Sequence, residues 1–294
     1  MQQEADTLMI LYAVALNGRG VTVHIYSSDT DVLVLALRRL PELRADSQII
    51  MGTGDKRRRI KLKPMYDALG DAKAAALPGF HAITGADITG HILGKGKPTC
   101  FKAFLKAPDN VISALTHLGI GSYPSDQVLC GCEQFLCQQF KPNAMTAKQA
   151  RWLMFKQLKP NQGVEKIFPT QGAILQHILQ AHYQANVWAQ DTVPEPVVLN
   201  PVDLGWQEVE DGRYAPTVSH TPPAPEAVVE LVKCGCVASR CSGRCSCKSH
   251  NLACTELCKC EATETSCMNM VAALDNLSDE DTDQDDDDND DMMS

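Results

Sequence analysis

The sequence predicts an α/β domain with further helices behind it and a small metal-organised module near the carboxyl end. Three observations carry this. Helical and alternating apolar patterns interleave over the first 62 residues, helical periodicity dominates from there to about residue 188, and nine cysteines fall between Cys234 and Cys267. With 294 residues, 44% of them hydrophobic, the chain can bury a core of ordinary size and still carry a smaller module.

Helical periodicity runs from Glu4 to Leu16 and is punctuated by Gly18 and Gly20. VTVHIY at 21–26 alternates like a half-buried strand, and a second helical run covers Thr30 to Leu40. SQIIMG at 47–52 reads as a strand, followed by a basic turn, Lys56 to Arg59, and a short strand through Ile60 and Leu62. Helices are expected over 65–76, 97–106, 109–117, 125–139, 146–157 and 171–188. Between Asp191 and Val229 lie seven of the 16 prolines, which reads as an extended linker that Trp206 and Tyr214 could pin to a neighbouring surface. The expected division is an α/β domain over 1–140, a helical extension over 141–190, the linker over 191–229, the cysteine module over 230–268 and an acidic tail over 269–294. No internal repeat emerges.

The formal charge of −9 is a property of the tail, because 11 acidic residues fall within 275–294 while residues 1–274 carry 27 basic and 25 acidic side chains. Such a tail cannot bury a core and is expected to be disordered; Ser278 and Thr282, each followed three residues later by Asp, read as acidophilic kinase sites. No apolar run reaches membrane-spanning length, and the acidic start lacks the basic region and cleavage site of a signal peptide. A cytosolic or nuclear protein is expected, with no membrane partner.

The cysteines are spaced C-x-C-x4-C-x3-C-x-C-x6-C-x3-C-x-C-x6-C. A C-x-C pair projects two thiols from one short turn, which suits a shared ion better than an unstrained disulfide. The odd count argues the same way. Cys234, Cys236, Cys241, Cys245, Cys247, Cys254, Cys258, Cys260 and Cys267 are therefore the expected thiolate ligands. This spacing resembles the tesmin-type CXC (CRC) domain. The resemblance implies three Zn2+ ions held by nine cysteines with some thiolates bridging, and contact with DNA. Here the interval before the fourth cysteine is three residues and ends in Arg244, where the family has a fourth residue, often a tyrosine that enters the minor groove. The last interval is six where the family has two, which sets Cys267 apart. Nine thiolates and three Zn2+ would leave little positive charge, so contact with duplex DNA would need Arg244, the expected nucleic-acid-binding residue of this module, and its neighbours on one face, and binding to chromatin or another protein stays open beside it.

Acids form a second constellation. Glu4 and Asp6 make one pair, Asp29 and Asp31 another, and Asp87 stands in HAITGADITG. Asp29 follows the strand VTVHIY and so belongs at the carboxyl edge of the sheet, where open α/β folds place their sites. Converging carboxylates there would hold Mg2+ or Mn2+. Taken singly, each acid also reads as a helix cap or first-turn residue. QEADT, SSDTDVLVL and LPGFHAITGADITGHILGKGK together resemble the motifs of PIN-like nucleases, in the flap endonuclease branch of the 5′ nucleases. The resemblance covers roughly 1–140 and implies a parallel sheet and a two-metal site for phosphodiester hydrolysis, with Glu4, Asp6, Asp29, Asp31 and Asp87 as ligands. It places Gly94, Lys95, Gly96 and Lys97 where the family has a glycine-rich turn that grips the DNA backbone; the same GKGKP also reads as an exposed loop before a helix. It is not a P-loop, since His91 stands at the first glycine and Pro98 follows Lys97. The family begins with a strand and a first acid ahead of the paired acids, so an incomplete or inactive domain is also expected.

The combined pattern is similar to animal proteins, some of them descended from mobile elements, and implies a nuclear, DNA-associated protein. It is either a nuclease or nuclease remnant, or a non-enzymatic binder targeted by its zinc module. Cys130, Cys132 and Cys137 read as buried thiols in an apolar helix, and His177 and His182 as packing or solvent-facing residues.

Overall fold

The computed structural model falls into two compact units, described over residues 4–17, 19–91, 94–157 and 167–219 in the first and 234–236, 241, 245–250, 252–254, 258–260 and 267–269 in the second. The first unit holds a three-stranded sheet in the order β1-β2-β3: β1 (His24–Tyr26), β2 (Gln48–Met51) and β3 (Arg58–Lys61). β1 and β2 are parallel, joined across α2 (Thr30–Arg38), with His24 opposite Gln48 and Tyr26 opposite Ile50. β3 instead runs antiparallel to β2, with Met51 opposite Arg58, which corrects the parallel sheet implied by the PIN-like resemblance. Residues 52–57 are all that joins them, and a parallel crossover needs about a dozen residues or more. The basic cluster thus continues into an edge strand, where exposed Arg58, Arg59 and Lys61 discourage further pairing.

Helices supply most of the unit. α1 (Ala5–Asn17) lies against α2, and Ile10, Ala13, Val32, Leu35 and Ala36 are buried between the helices and the sheet. The helix expected over 65–76 is two helices, α3 (Leu62–Leu69) and α4 (Asp71–Ile83), parted at Gly70, whose φ of 74° a helix does not accept. α4 then continues through Pro78 and Gly79, a pair that reads as a stop in the sequence. A Cβ on Gly79 would lie 2.0 Å from the carbonyl oxygen of Leu115 in α6 (Asp109–His117), so the backbones of α4 and α6 meet here as only glycine permits.

α5 (Lys97–Leu105), α7 (Asp126–Gln138), α8 (Ala147–Phe155) and α9 (Gln171–Ala189) follow closely the expected bounds. Ser125, Thr146 and Thr170 cap the last three by accepting from the N–H three residues on. α9 packs on α4 and α7, and its Ile174, Ile178, Ala181, Ala185 and Trp188 share one apolar core with residues of 1–140, so the expected extension is not separate from that domain. His182, fully buried there, accepts from the Gly119 N–H through Nδ1 at 3.0 Å and so donates from Nε2 to the Gly121 carbonyl at 3.2 Å. His177 bonds the Ile83 carbonyl at 2.8 Å. Cys132 and Cys137 are buried as expected, whereas Cys130 is exposed.

The expected linker divides. Asp191, fully buried, bonds Arg39 through Nε at 2.9 Å and pairs with Arg38 at 2.6 Å. A hairpin of β4 (Trp206–Val209) and β5 (Arg213–Pro216) follows, and Gln180 of α9 donates to the Gly205 carbonyl at 2.8 Å. Residues 191–219 are therefore packed structure. The rest of the linker, Arg244 and the acidic tail with Ser278 and Thr282 lie outside the described residues. No helix among the described residues is long and apolar enough to cross a membrane.

Candidate functional site

Two helix starts and one loop build the acid cleft. Asp29 is the N-cap of α2, its Oδ1 accepting from the Asp31 N–H at 3.0 Å while its own N–H donates to Ser27 Oγ at 3.0 Å. Capping and convergence are both realised, because the cap places Asp29 and Asp31 side by side at the carboxyl end of β1, with Asp6 from the first turn of α1 facing them. One carboxylate oxygen from each of Asp6, Asp29 and Asp31 lies within 4.8 Å of the others, close enough to share a cation. Asp87 is presented by a turn in which Thr89 Oγ1 accepts from the Ala86 N–H and donates to the Ala82 carbonyl, both at 2.7 Å. Asp29, Asp31, Asp87, His81, Lys95 and Lys97 line a cleft of about 550 Å³.

Burial and mutual repulsion among the acids set the electrostatics of the cleft. Burial, then the Asp6 charge, pushes the Glu4 carboxyl up to about 7; a bond from Gln184 of α9 pulls it down, and the Asp31 and Asp87 charges add to the rise. Burial followed by the Asp29, Asp31 and Asp87 charges raises Asp6 to about 6. Glu4 and Asp87 stand outside the close trio but share its field. Glu4 Oε2 and Asp31 Oδ2 are buried without a hydrogen-bond partner, an arrangement that costs ~1–3 kcal/mol per group, more for a charged one, unless something positive is bound. The residues therefore fit a hard divalent ion.

His81, which the sequence reading passed over, completes the cleft. Its buried Nε2 lies 2.6 Å from Asp31 Oδ1 and 3.1 Å from Lys97 Nζ. The signal for it was its position one helical turn ahead of the turn that carries Asp87. Lys97 opens α5 behind Gly96 but is directed into the cleft, where burial lowers its pKa against the opposing pull of Asp31, Asp29 and Asp87. Lys95 lies over the Phe140 ring, 5.0 Å from its centroid. A second cleft, of about 530 Å³ between α6 and α7, is lined by Ser113, His117, Gln127 and Cys130 among others and holds no carboxylate or lysine.

In the second unit the nine expected cysteines come together. Eight are buried, Cys267 among them, and Cys236 is half-buried; all thirteen cysteines of the chain are free. Their Sγ–Sγ separations run from 3.6 Å (Cys247–Cys258, Cys241–Cys254) through 3.8 Å (Cys245–Cys254, Cys234–Cys260) to 3.9 Å (Cys234–Cys241, Cys260–Cys267). A disulfide would be about 2.05 Å. Four thiolates at about 2.3 Å from a tetrahedral Zn2+ stand about 3.8 Å apart, so the spacing matches a zinc cage. Cys234 belongs to each of three candidate quartets, with Cys236, Cys241 and Cys245, with Cys241, Cys254 and Cys260, and with Cys245, Cys247 and Cys254.

Burial raises the thiols of Cys241, Cys247 and Cys254 well above their ordinary value. Burial acts the same way on Cys245, but bonds from the Lys248 backbone and from Cys234, Cys254 and Cys241 outweigh it and bring that thiol down to about 6. Apart from sulfur, Leu252 is the hydrophobic side chain packed on this cluster among the described residues, and Asn269 Nδ2 donates to Cys254 Sγ at 3.3 Å. A core made of thiols is neutralised by metal and not by packing, so the unit can hold zinc. No family model, curated protein or solved structure matches the chain.

Proposed function

We propose that the first unit is a PIN-like, divalent-metal-dependent nuclease domain acting on DNA phosphodiesters, and that the second is a CXC-type module whose cysteines hold three Zn2+ and which brings the protein to DNA or chromatin in the nucleus. The observation that carries the reading is the convergence of Asp6, Asp29 and Asp31 within 4.8 Å around a buried, unpartnered Asp31 oxygen. Bound Mg2+ or Mn2+ would supply an activated water and charge neutralisation at the leaving oxygen. The chain's own residues do the rest. Asp6, Asp29 and Asp31 present carboxylate oxygens, Asp87 extends the negative rim, and the capped start of α2 fixes two of the ligands before any substrate arrives. Lys97, released from its own carboxylates once their charge is met, is free to take a phosphate oxygen, and Lys95 stands beside it at the cleft mouth.

The test is cleavage of flap and single-stranded DNA with Mg2+ or Mn2+, comparing the chain with Asp29→Ala/Asp31→Ala. Metal-dependent cleavage abolished by the double change is expected, and cleavage that survives it removes the site. A second reading, a non-enzymatic zinc-dependent binder, is favoured by two observations: Asp29 Oδ1 is committed to capping, and Lys97 already partly neutralises the cluster. Metal binding without cleavage of either substrate would select it.

A further inference from the structure

α8 packs Leu153 and Met154 on the core but turns its two largest side chains outward. Ala147 and Ala150 are fully buried, while Trp152 is 59% and Phe155 56% exposed. That is the reverse of what the hydrophobic effect favours for side chains of these sizes. The two rings are stacked, with planes 21° apart and centroids 6.2 Å apart, and Lys156 Nζ stands 5.7 Å from the Trp152 centroid. Lys148, Trp152, Phe155 and Lys156 fall within one third of the helical circumference, so exposed rings and exposed ammonium groups alternate on a single face.

The charge on this face is mostly basic. Residues 134–157 contain four basic side chains, Lys141, Lys148, Arg151 and Lys156, and no acidic one, while the Glu133 carboxylate accepts from the Ala147 N–H at the start of the helix at 2.7 Å. The face also connects to the cleft. Arg151 of α8 donates to the Phe168 carbonyl, Phe168 packs edge-on against Phe140 at 5.3 Å, and Lys95, which lines the cleft, lies over Phe140.

We propose that this face of α8 is a stacking platform for single-stranded DNA, with bases laid on Trp152 and Phe155 and phosphates held by Lys148 and Lys156. It deepens the nuclease reading and rests on it for the choice of DNA. Flat rings unprotected by packing and flanked by lysines suit a ligand that offers π faces and negative charge in alternation. A duplex hides its base faces. An acidic peptide offers charge without rings.

The experiment measures binding of fluorescein-labelled dT20 to the full zinc-loaded chain by anisotropy, with neither Mg2+ or Mn2+ nor chelator added. Trp152→Ala/Phe155→Ala is expected to weaken binding tenfold or more, Trp152→Phe to stay within about threefold of the parent, and Lys148→Glu/Lys156→Glu to weaken it and flatten its salt dependence. Because these positions are exposed, the melting temperature is expected to stay unchanged, which separates lost binding from lost folding. Unchanged affinity in the double alanine variant, equal affinity for a duplex, or binding of a uridine oligomer in place of dT20 overturns the proposal. Because no cleavage is read, the loss of dT20 binding in Trp152→Ala/Phe155→Ala tests the platform alone, while cleavage by Asp29→Ala/Asp31→Ala tests the nuclease reading, so the two failures are seen separately.

Discussion

Asp31 spends one oxygen on His81 and leaves the other buried and unmatched, which makes His81 the residue that orients the carboxylate. Loss of such a partner costs about 10–100-fold in metal affinity. His81→Ala is expected to weaken Mn2+ binding by that factor in isothermal titration, with His81→Gln recovering part of it; equal affinity in all three would remove the role. The raised Glu4 and Asp6 carboxyls make a second prediction. A carboxyl whose pKa is higher folded than unfolded stabilises the fold only while protonated, and the benefit is lost as pH rises from its ordinary value through the folded one. Without divalent ions, Tm of the first unit should therefore fall between about pH 4 and pH 7, from the rises of Glu4 to about 7 and Asp6 to about 6. Added Mg2+ should restore it at the upper end, and a flat profile would contradict this. The five acids were legible as residue types at telling places. The oxygen left vacant on Asp31 and the ring that causes it were not, because His81 meets Asp31 across 50 residues of chain.

At the scale of elements, helices with a capping Ser or Thr were readable nearly to the residue, as α7, α8 and α9 are. The misreadings arose where tertiary contact overrides local preference. Leu-Pro-Gly at 77–79 resembles a helix end, yet α4 passes through it because a bare Gly79 lets α6 come against the backbone. The six residues between β2 and β3 allowed only a hairpin, so the antiparallel strand was within reach of loop-length reasoning alone. The proline-rich stretch after α9 was harder, since its anchor is electrostatic and distant: Asp191 is held by two arginines at the carboxyl end of α2, some 150 residues earlier. Asp191→Ala leaves Arg38, itself mostly buried, without its counter-charge. It should cost about 3–5 kcal/mol in urea unfolding of the first unit, and a change below 1 kcal/mol would show the anchor to be passive.

For the molecule as a whole, the cysteine spacing was the most legible feature, because nine thiols within 34 residues have few ways to be satisfied. What spacing could not give is which sulfur is shared, and the central place of Cys234 follows only from the folded geometry. Treating the chain with a strong chelator should release Zn2+ to a colorimetric indicator and unfold the second unit while the helical signal of the first persists. Cys234→Ser should lower the zinc released per chain more than Cys236→Ser does, and equal stoichiometry in the two variants would argue against a shared sulfur. With zinc held as proposed, the second unit has no melting temperature independent of the metal. Its stability is a function of the surrounding free-ion level, shifting by about 1.4 kcal/mol per ion for every tenfold change. Two laboratories working in buffers of different trace-metal content would thus report different thermal midpoints for the same polypeptide, and both would be right.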